Sequence, residues 1–362
     1  MITVSLCMII KDEEATLGRC LDSIAEAIDE IIIVDTGSTD RTKEIARQYT
    51  EKIYDFPWID DFAAARNFSF SKASMDYLMW LDADDVLLEE DRAGLLQLKQ
   101  TLDPAVDLVM MPYCAGSDEQ GNPTLSYLRE RLFKRIRGFQ WNDPVHEYVQ
   151  PSGKIIQTEI RVTHRKQRHD PSDRNLRIYE KMRAEGRSFS PRSLLYYGME
   201  LYYHQRYLDA AREFETFLEG AGGWVEDNIK ACFYGGKCYH SLGDTGNGLK
   251  ILLRSFEYDL PRAEICCEIG AVYKTRGEYG KACFWYQLAA DLPKPRDGWG
   301  FVFHDYWGFV PYLELCVCHY RLGDMAKAVE FNQKAAAIKP QDPAVLFNQQ
   351  FFAGMEREAS LP

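Results

Sequence analysis

Over roughly the first 110 residues the apolar positions alternate between two textures. Short, nearly continuous runs fall at Val4–Ile10, Glu30–Asp35, Lys52–Phe56 and Tyr77–Leu81, rich in the β-branched and aromatic residues of buried strands. Between them the spacing lengthens to a helical period. Leu17, Leu21, Ile24 and Ile28 mark a helix over residues 14–28, the polar break Thr36–Asp40 offers caps to a second helix ending near Tyr49, and Phe62–Ser74 reads as a third. Strands alternating with helices predict right-handed crossovers and a mostly parallel sheet covered on both faces. In such sheets ligands sit beyond the carboxyl ends of the strands. The chain places polar residues there: Lys11, Asp12 and Glu13 after the first strand, Asp35 closing the second, and Asp82-Ala83-Asp84-Asp85 after the fourth.

From about residue 192 the pattern becomes helical throughout. Gln205–Ala210, Gly243–Gly248, Gly277–Ala282 and Gly323–Ala328 share a turn of the type Gly-Asp/Glu-x-x-x-Ala, and Tyr202, Tyr239, Tyr273 and Tyr320 precede the four turns. A period near 34 residues with a helix–turn–helix unit is that of tetratricopeptide repeats. The last interval is lengthened by an aromatic, glycine-interrupted insertion that includes Trp299, Phe301, Phe303, Tyr306 and Trp307. Aromatic residues at such spacing serve as core or, where glycines break the run, as an exposed loop. The expected organisation is an α/β domain over 1–165, a basic hinge over 166–191 and an all-α repeat domain over 192–362.

Composition narrows the function classes. The 362 residues carry a formal charge of −12, against a general nucleic-acid binder. Between Arg129 and Arg192, however, basic residues outnumber acidic ones by eight, which fits a local anionic ligand or a solvated basic face. No run reaches the length of a membrane span. The apolar N-terminus lacks a basic leader and runs into Lys11–Glu14, so it reads as a strand rather than an export signal. The ten cysteines show no C-x-x-C spacing. Reduced, buried thiols in a cytoplasmic protein are the expectation.

The candidate chemistry centres on Asp82 and Asp84. Two carboxylates at i and i+2 on a tight turn can reach one hard cation, the oxygen set that suits Mg²⁺ or Mn²⁺. A solvated acidic turn ahead of a helix over 87–98 presents the same pair; the acids that close the neighbouring strands favour the cation. Thr36-Gly37-Ser38 is no phosphate loop, because it lacks the Gly-Lys-Ser/Thr ending, and Gly37 there answers a turn geometry.

Four runs in order then carry a resemblance: Ser5–Glu14, Ile33–Thr42, Asp60–Asn67 and Leu81–Asp85, followed by Arg131–Lys134 and Trp141–Glu147. Together they resemble a family 2 glycosyltransferase of the GT-A fold, and the repeats behind them resemble the bacterial subgroup that fuses such a domain to tetratricopeptide-like repeats and includes peptide glycosyltransferases. Asp12 stands where the family often has Asn. The resemblance implies that Asp35 binds the nucleotide base, framed by the backbone of Ile9–Lys11, with Glu13 near the ribose and Arg66 close to the nucleotide. Asn67 is read as a nucleotide neighbour or as structural. Asp82 and the adjacent Ala83 would lie on the ribose or a metal-bound water, and Asp84 would hold the divalent cation that bridges the two phosphates. Glu147 takes the place of the general base; the alternatives are a surface carboxylate, and for His146 a packed imidazole or a group that orients the base or acceptor. His164, after a strand over 159–163, stands as a further metal ligand or a structural histidine, with His169 competing for the role.

The expected activity is inverting, metal-dependent transfer of a sugar from a nucleotide-diphosphate donor, a UDP-sugar by family habit, to a polypeptide side chain. The repeats would position that acceptor or form a homodimer. Two alternatives stay open: a cell-surface or lipid-linked glycan as acceptor, and an inactive transferase domain on a binding scaffold.

Overall fold

The computed structural model describes residues 1–118, 121–165, 172–220, 223–294 and 300–359. They group into two compact units, residues 1–187 with Gly300 and Phe301, and the remainder from Ser188.

In the first unit the strands are β1 (Val4–Ile10), β2 (Glu30–Asp35), β3 (Ile53–Asp55), β4 (Tyr77–Trp80), β5 (Asp85–Val86), β6 (Leu108–Ser117), β7 (Pro123–Lys134), β8 (Trp141–Asn142), β9 (Tyr148–Val149), β10 (Ile155–Gln157) and β11 (Val162–His164). The main sheet runs β3-β2-β1-β4-β7-β6-β11-β5, with β10 also beside β6, while β8 and β9 form a separate hairpin. β3, β2, β1 and β4 run parallel to one another. β7 enters antiparallel to both β4 and β6, so the sheet is mixed beyond its first four strands. The register places Ile10 opposite Asp35 and Cys7 opposite Trp80, which brings the polar carboxyl ends of these strands to one edge.

The crossover helices are α1 (Leu17–Ile24), α2 (Thr42–Ala46), α3 (Phe62–Lys72) and α4 (Glu89–Thr101). The spacing that predicts α1 also sets its packing: Leu17, Cys20, Leu21 and Ile24 are all fully buried, in one core with Leu6 and Met8 of β1. α3 closes the other face through Ala63 and Phe70, in a second core with Trp80, Phe133 and Trp141. It starts at Asp61, whose carboxylate accepts the Ala64 amide at 2.8 Å. Beyond the sheet, α5 (Arg174–Ala184) buries Leu176, Ile178, Tyr179 and Met182. This helix lies inside the stretch read from the sequence as a hinge, and by its contacts it belongs to the first unit.

The second unit is helical: α6 (Pro191–Tyr203), α7 (Tyr207–Glu219), α8 (Val225–Ser241), α9 (Thr245–Arg254), α10 (Ala263–Thr275), α11 (Tyr279–Asp291), α12 (Phe309–Arg321), α13 (Met325–Ile338) and α14 (Pro343–Ala359). The first eight pair as α6/α7, α8/α9, α10/α11 and α12/α13, the helix–turn–helix units that the period predicts. Gly243, Gly277 and Gly323 take left-handed φ at the turns, and Gln205 adopts φ +60° at the equivalent place. Asp244 and Asp324 then cap the helices that follow. Ala210, Ala282 and Ala328, the small residues of the turn pattern, are fully buried. Gly270 lets α10 and α11 approach: a Cβ there would sit 2.9 Å from the Tyr286 ring. The insertion packs, with Phe303 and Tyr306 against Phe233 of α8 at 5.2 and 5.8 Å between centroids, and the Tyr306 hydroxyl donating to Glu268 of α10 at 3.0 Å. Trp299 lies outside the described residues. All ten cysteines are free, and nine of them are buried.

Candidate active site

A cleft of about 780 Å³ opens at the carboxyl edge of the sheet. Ile9 and Lys11 at the end of β1, Glu13, Asp82, Ala83 and Asp84 after β4, Arg66 of α3, His146 and Glu147 from the β8–β9 loop, and His164 of β11 all line it. Five separate segments thus meet in one place. Asp12 helps turn the chain out of β1: its φ is +54°, a region that Asp and Asn tolerate better than other residues, and its carboxylate accepts the Thr39 amide at 2.7 Å.

Asp35 stands apart. It is 2 % exposed and is not among the residues lining the cleft, where Thr36 follows it instead. Its carboxylate accepts the Gly37 and Ser38 amides at 3.2 and 3.1 Å and lies 3.6 Å from Lys43 Nζ. Gly37, at φ +106°, supplies the turn that wraps these amides around the acid.

Arg66 is the hub of the cleft wall. Its Nε donates to Glu147 Oε1 at 2.6 Å and its Nη2 to Asp82 Oδ1 at 2.7 Å. The guanidinium lies 4.5 Å from the Trp80 ring and 5.1 Å from that of Trp141. Burial works against charge here, but the two carboxylates outweigh it and hold Arg66 firmly protonated. Desolvation likewise opposes ionisation of Asp82, and Arg66 overrides it, keeping that carboxyl below the usual range. Asn67 is turned elsewhere, bonding Trp141 through both its amide nitrogen and its oxygen, and so fixes β8 to α3.

His164 faces two acids. Pairing of β11 with β5 sets it opposite Asp85, and its Nδ1 lies 3.4 Å from Asp84 Oδ1 and 3.4 Å from Asp85 Oδ1. Burial alone would lower the imidazole pKa; the two carboxylates instead push it up to about 10. One ligand atom from each of Asp84, Asp85 and His164 falls within 4.8 Å of the others. Two carboxylate oxygens and an imidazole nitrogen are a donor set for Mn²⁺ or Mg²⁺, and Asp85 Oδ1 and His164 Nδ1 are buried without a hydrogen-bond partner among the described residues. The residues present therefore fit a divalent cation. His169 lies outside the described residues.

His146 adopts φ +53°, unusual for a residue with a Cβ, and that turn delivers Glu147 to Arg66. Its ring stacks on Tyr179 of α5 at 6.2 Å, and Lys181 of the same helix pairs with Asp60 at 2.7 Å. Arg174 and Asn175 of α5, with Trp58 and Phe62, complete that wall of the cleft. The sequence signals neither the buried face of α5 nor a separate role for Asp85. Asp85 stood in the same acidic run as Asp82 and Asp84, but α5 carries so many charges that its buried face was hidden.

A mixed, mostly parallel sheet with acids at the ends of its parallel strands, an Asp-Asp-His group and a facing carboxylate is the layout of a GT-A-like fold. Residues 5–160 match the model of the family described as Glycosyl transferase family 2, and the N-terminal unit is a glycosyltransferase domain of that family, followed by tetratricopeptide-like repeats. The chain is 37% identical over 160 residues to a TPR repeat-containing protein of Synechococcus elongatus, covering 44% of this chain and 38% of that one. It is 26% identical over 224 residues to the SPbeta prophage-derived glycosyltransferase SunS of Bacillus subtilis, covering 55% and 49%. The matches thus span less than half the length of these two relatives. Among solved structures, glucosyl-3-phosphoglycerate synthase from Mycobacterium tuberculosis, in complex with Mn²⁺ and UDP-glucose, is 18% identical over 52% of this chain and 81% of that one, with a TM-score of 0.36. No helix among the described residues is long and apolar enough to cross a membrane.

Proposed function

We propose that the chain is an inverting glycosyltransferase that moves a sugar from a nucleotide-diphosphate donor, a UDP-sugar, to a side chain of a polypeptide. The observation that carries this is the bridge through Arg66, which sets a candidate base, Glu147, and a donor-side acid, Asp82, on the two arms of one guanidinium.

In this reading the backbone of Ile9–Lys11 and Thr36 frames the base, Glu13 and Asp82 lie towards the ribose with Ala83 between the two acids, and Asp84 with His164 would hold Mn²⁺ or Mg²⁺. Asp35 acts on the base by shaping its loop. A divalent cation supplies positive charge for the departing diphosphate. Glu147 takes the proton from the acceptor nucleophile as that atom bonds to the anomeric carbon. The bond from that carbon to the diphosphate oxygen breaks on the opposite face, with inversion, and the nucleoside diphosphate leaves with the electron pair. Arg66 holds the Glu147 carboxylate in place for the approach. The resemblance to repeat-fused peptide glycosyltransferases and the repeat array itself, a type of scaffold that presents extended surfaces to chains, support a polypeptide acceptor.

Calorimetric titration of UDP and GDP, with and without Mn²⁺, tests the donor side on the intact protein and on Asp84→Ala. Mn²⁺-dependent binding of UDP that is lost in the variant is expected. Absence of nucleotide binding under every condition would overturn the reading.

A further inference from the structure

Beneath the cation site lies a charge that the proposed reaction does not use. Arg131 of β7 has no solvent exposure at all. Its guanidinium is held between two rings, 3.9 Å from that of Trp80 and 4.8 Å from that of Tyr113. Nη1 donates to the Trp80 carbonyl at 3.0 Å and lies 3.3 Å from Asp85 Oδ2, while Nε and Nη2 have no hydrogen-bond partner among the described residues.

A guanidinium cannot shed its proton, so when buried it needs a fixed counter-charge. Asp85, equally inaccessible, is the carboxylate in contact with it. The second acceptor duty of Asp85 Oδ2 is the Asp82 amide, at 3.2 Å. With Oδ2 held from two sides, the rotation of the carboxylate is fixed and Oδ1 is left facing His164 and Asp84. That oxygen is buried and without a hydrogen-bond partner among the described residues. A carboxylate serving only as the counter-ion of Arg131 would have no need to aim its other oxygen at two further ligand atoms.

We infer that Arg131 is a positioning residue for cation binding: it clamps Asp85 so that Oδ1 becomes a third protein ligand beside Asp84 and His164. This rests on the metal-site part of the function proposed above. Groups that orient metal ligands commonly change metal affinity by about tenfold to a hundredfold when removed.

The test is a cycle of Arg131→Met, Asp85→Asn and the double variant, each as the full chain, titrated with Mn²⁺ alone and with UDP present, free Mn²⁺ being read by electron paramagnetic resonance. Asp85→Asn and Arg131→Met are each expected to weaken Mn²⁺ binding by about tenfold or more. If Arg131 acts through Asp85, adding Arg131→Met to Asp85→Asn costs no further affinity. The double variant removes both buried charges together, so it keeps the comparison available where Arg131→Met alone does not fold. Equal losses from Arg131→Met in both backgrounds, or normal Mn²⁺ affinity in Asp85→Asn and in the double variant, overturn the inference while leaving Asp84 and His164 as ligands. A wild-type chain that binds no Mn²⁺ even with UDP overturns the metal site and this inference together.

Discussion

Glu147 and Arg66 meet at 2.6 Å, Oε1 to Nε, on side chains that are only 11% and 6% exposed. The same guanidinium holds Asp82, whose side chain is 40% exposed, so removing it leaves Glu147 as the buried, unpaired carboxylate. Arg66→Ala is expected to cost about 3 kcal/mol of stability, the scale for breaking a buried ion pair from one side. Arg66→Lys keeps the charge but not the fork, and a point charge cannot serve both acids. Urea unfolding should show a smaller loss for the lysine variant, while its transfer rate falls at least about tenfold.

Glu147→Gln separates base from scaffold. The amide oxygen still accepts from Arg66, so nucleotide affinity should stay within a few fold. Transfer should drop by about a hundredfold or more, the usual contribution of a positioned base. A variant that loses nucleotide binding in parallel with activity would assign Glu147 to the donor side instead.

Acid should loosen the sheet through Glu30. This buried carboxylate accepts from Ser5, Lys52 and the amide of Ser74. Burial raises its pKa, but these donors prevail and bring it down to about 2. Its ionised form is therefore favoured in the folded state: the stabilisation is complete above about pH 5 and is lost as the pH falls from there towards 2, and amounts to roughly 2–3 kcal/mol. Glu30→Gln should be less stable at neutral pH and show a flatter stability profile between pH 5 and 2. Chemical denaturation at several pH values reads both.

Tyr179 links α5 to the candidate base. Its ring stacks on His146, and its hydroxyl lies 3.5 Å from the Val145 carbonyl. Tyr179→Leu removes the flat surface that supports the left-handed His146 turn and should lower turnover severalfold or more with little change in nucleotide affinity, whereas Tyr179→Phe should retain most activity. Steady-state kinetics with UDP titration distinguishes the two. Equal behaviour of the two variants would mean that the stack does not support the turn.

Much of this architecture was legible because local pattern and global fold agree. Val4–Ile10 and Glu30–Asp35 are strands with the predicted bounds, and the acids that follow them are at the sheet edge because parallel strands end together. Lys11, Arg66, Asp84, Glu147 and His164 meet in one cleft. What could not be read depends on pairing between distant segments. Arg131 reaches Asp85 only because β7 runs antiparallel to β4 with Met79 opposite Leu132, a register nothing in either strand specifies. The Asp35 carboxylate is expected at the ligand but bonds its own loop, since the amides it accepts become available only once Gly37 takes positive φ. In α5 the four buried side chains are interleaved with arginines and lysines, so helical periodicity alone reads as a solvated segment.

The packed insertion of the repeat unit sets a condition on any chain that would dock on this stretch of it. Where α8 and α10 adjoin, Phe303 and Tyr306 already cover Phe233, and Tyr306 holds Glu268. A peptide seeking that stretch competes with side chains tethered to the same molecule, whose effective concentration is on the order of millimolar. Weak, unselective segments would be turned away there, and a chain that displaced the insertion would have to match both its aromatic rings and its hydrogen bond to Glu268.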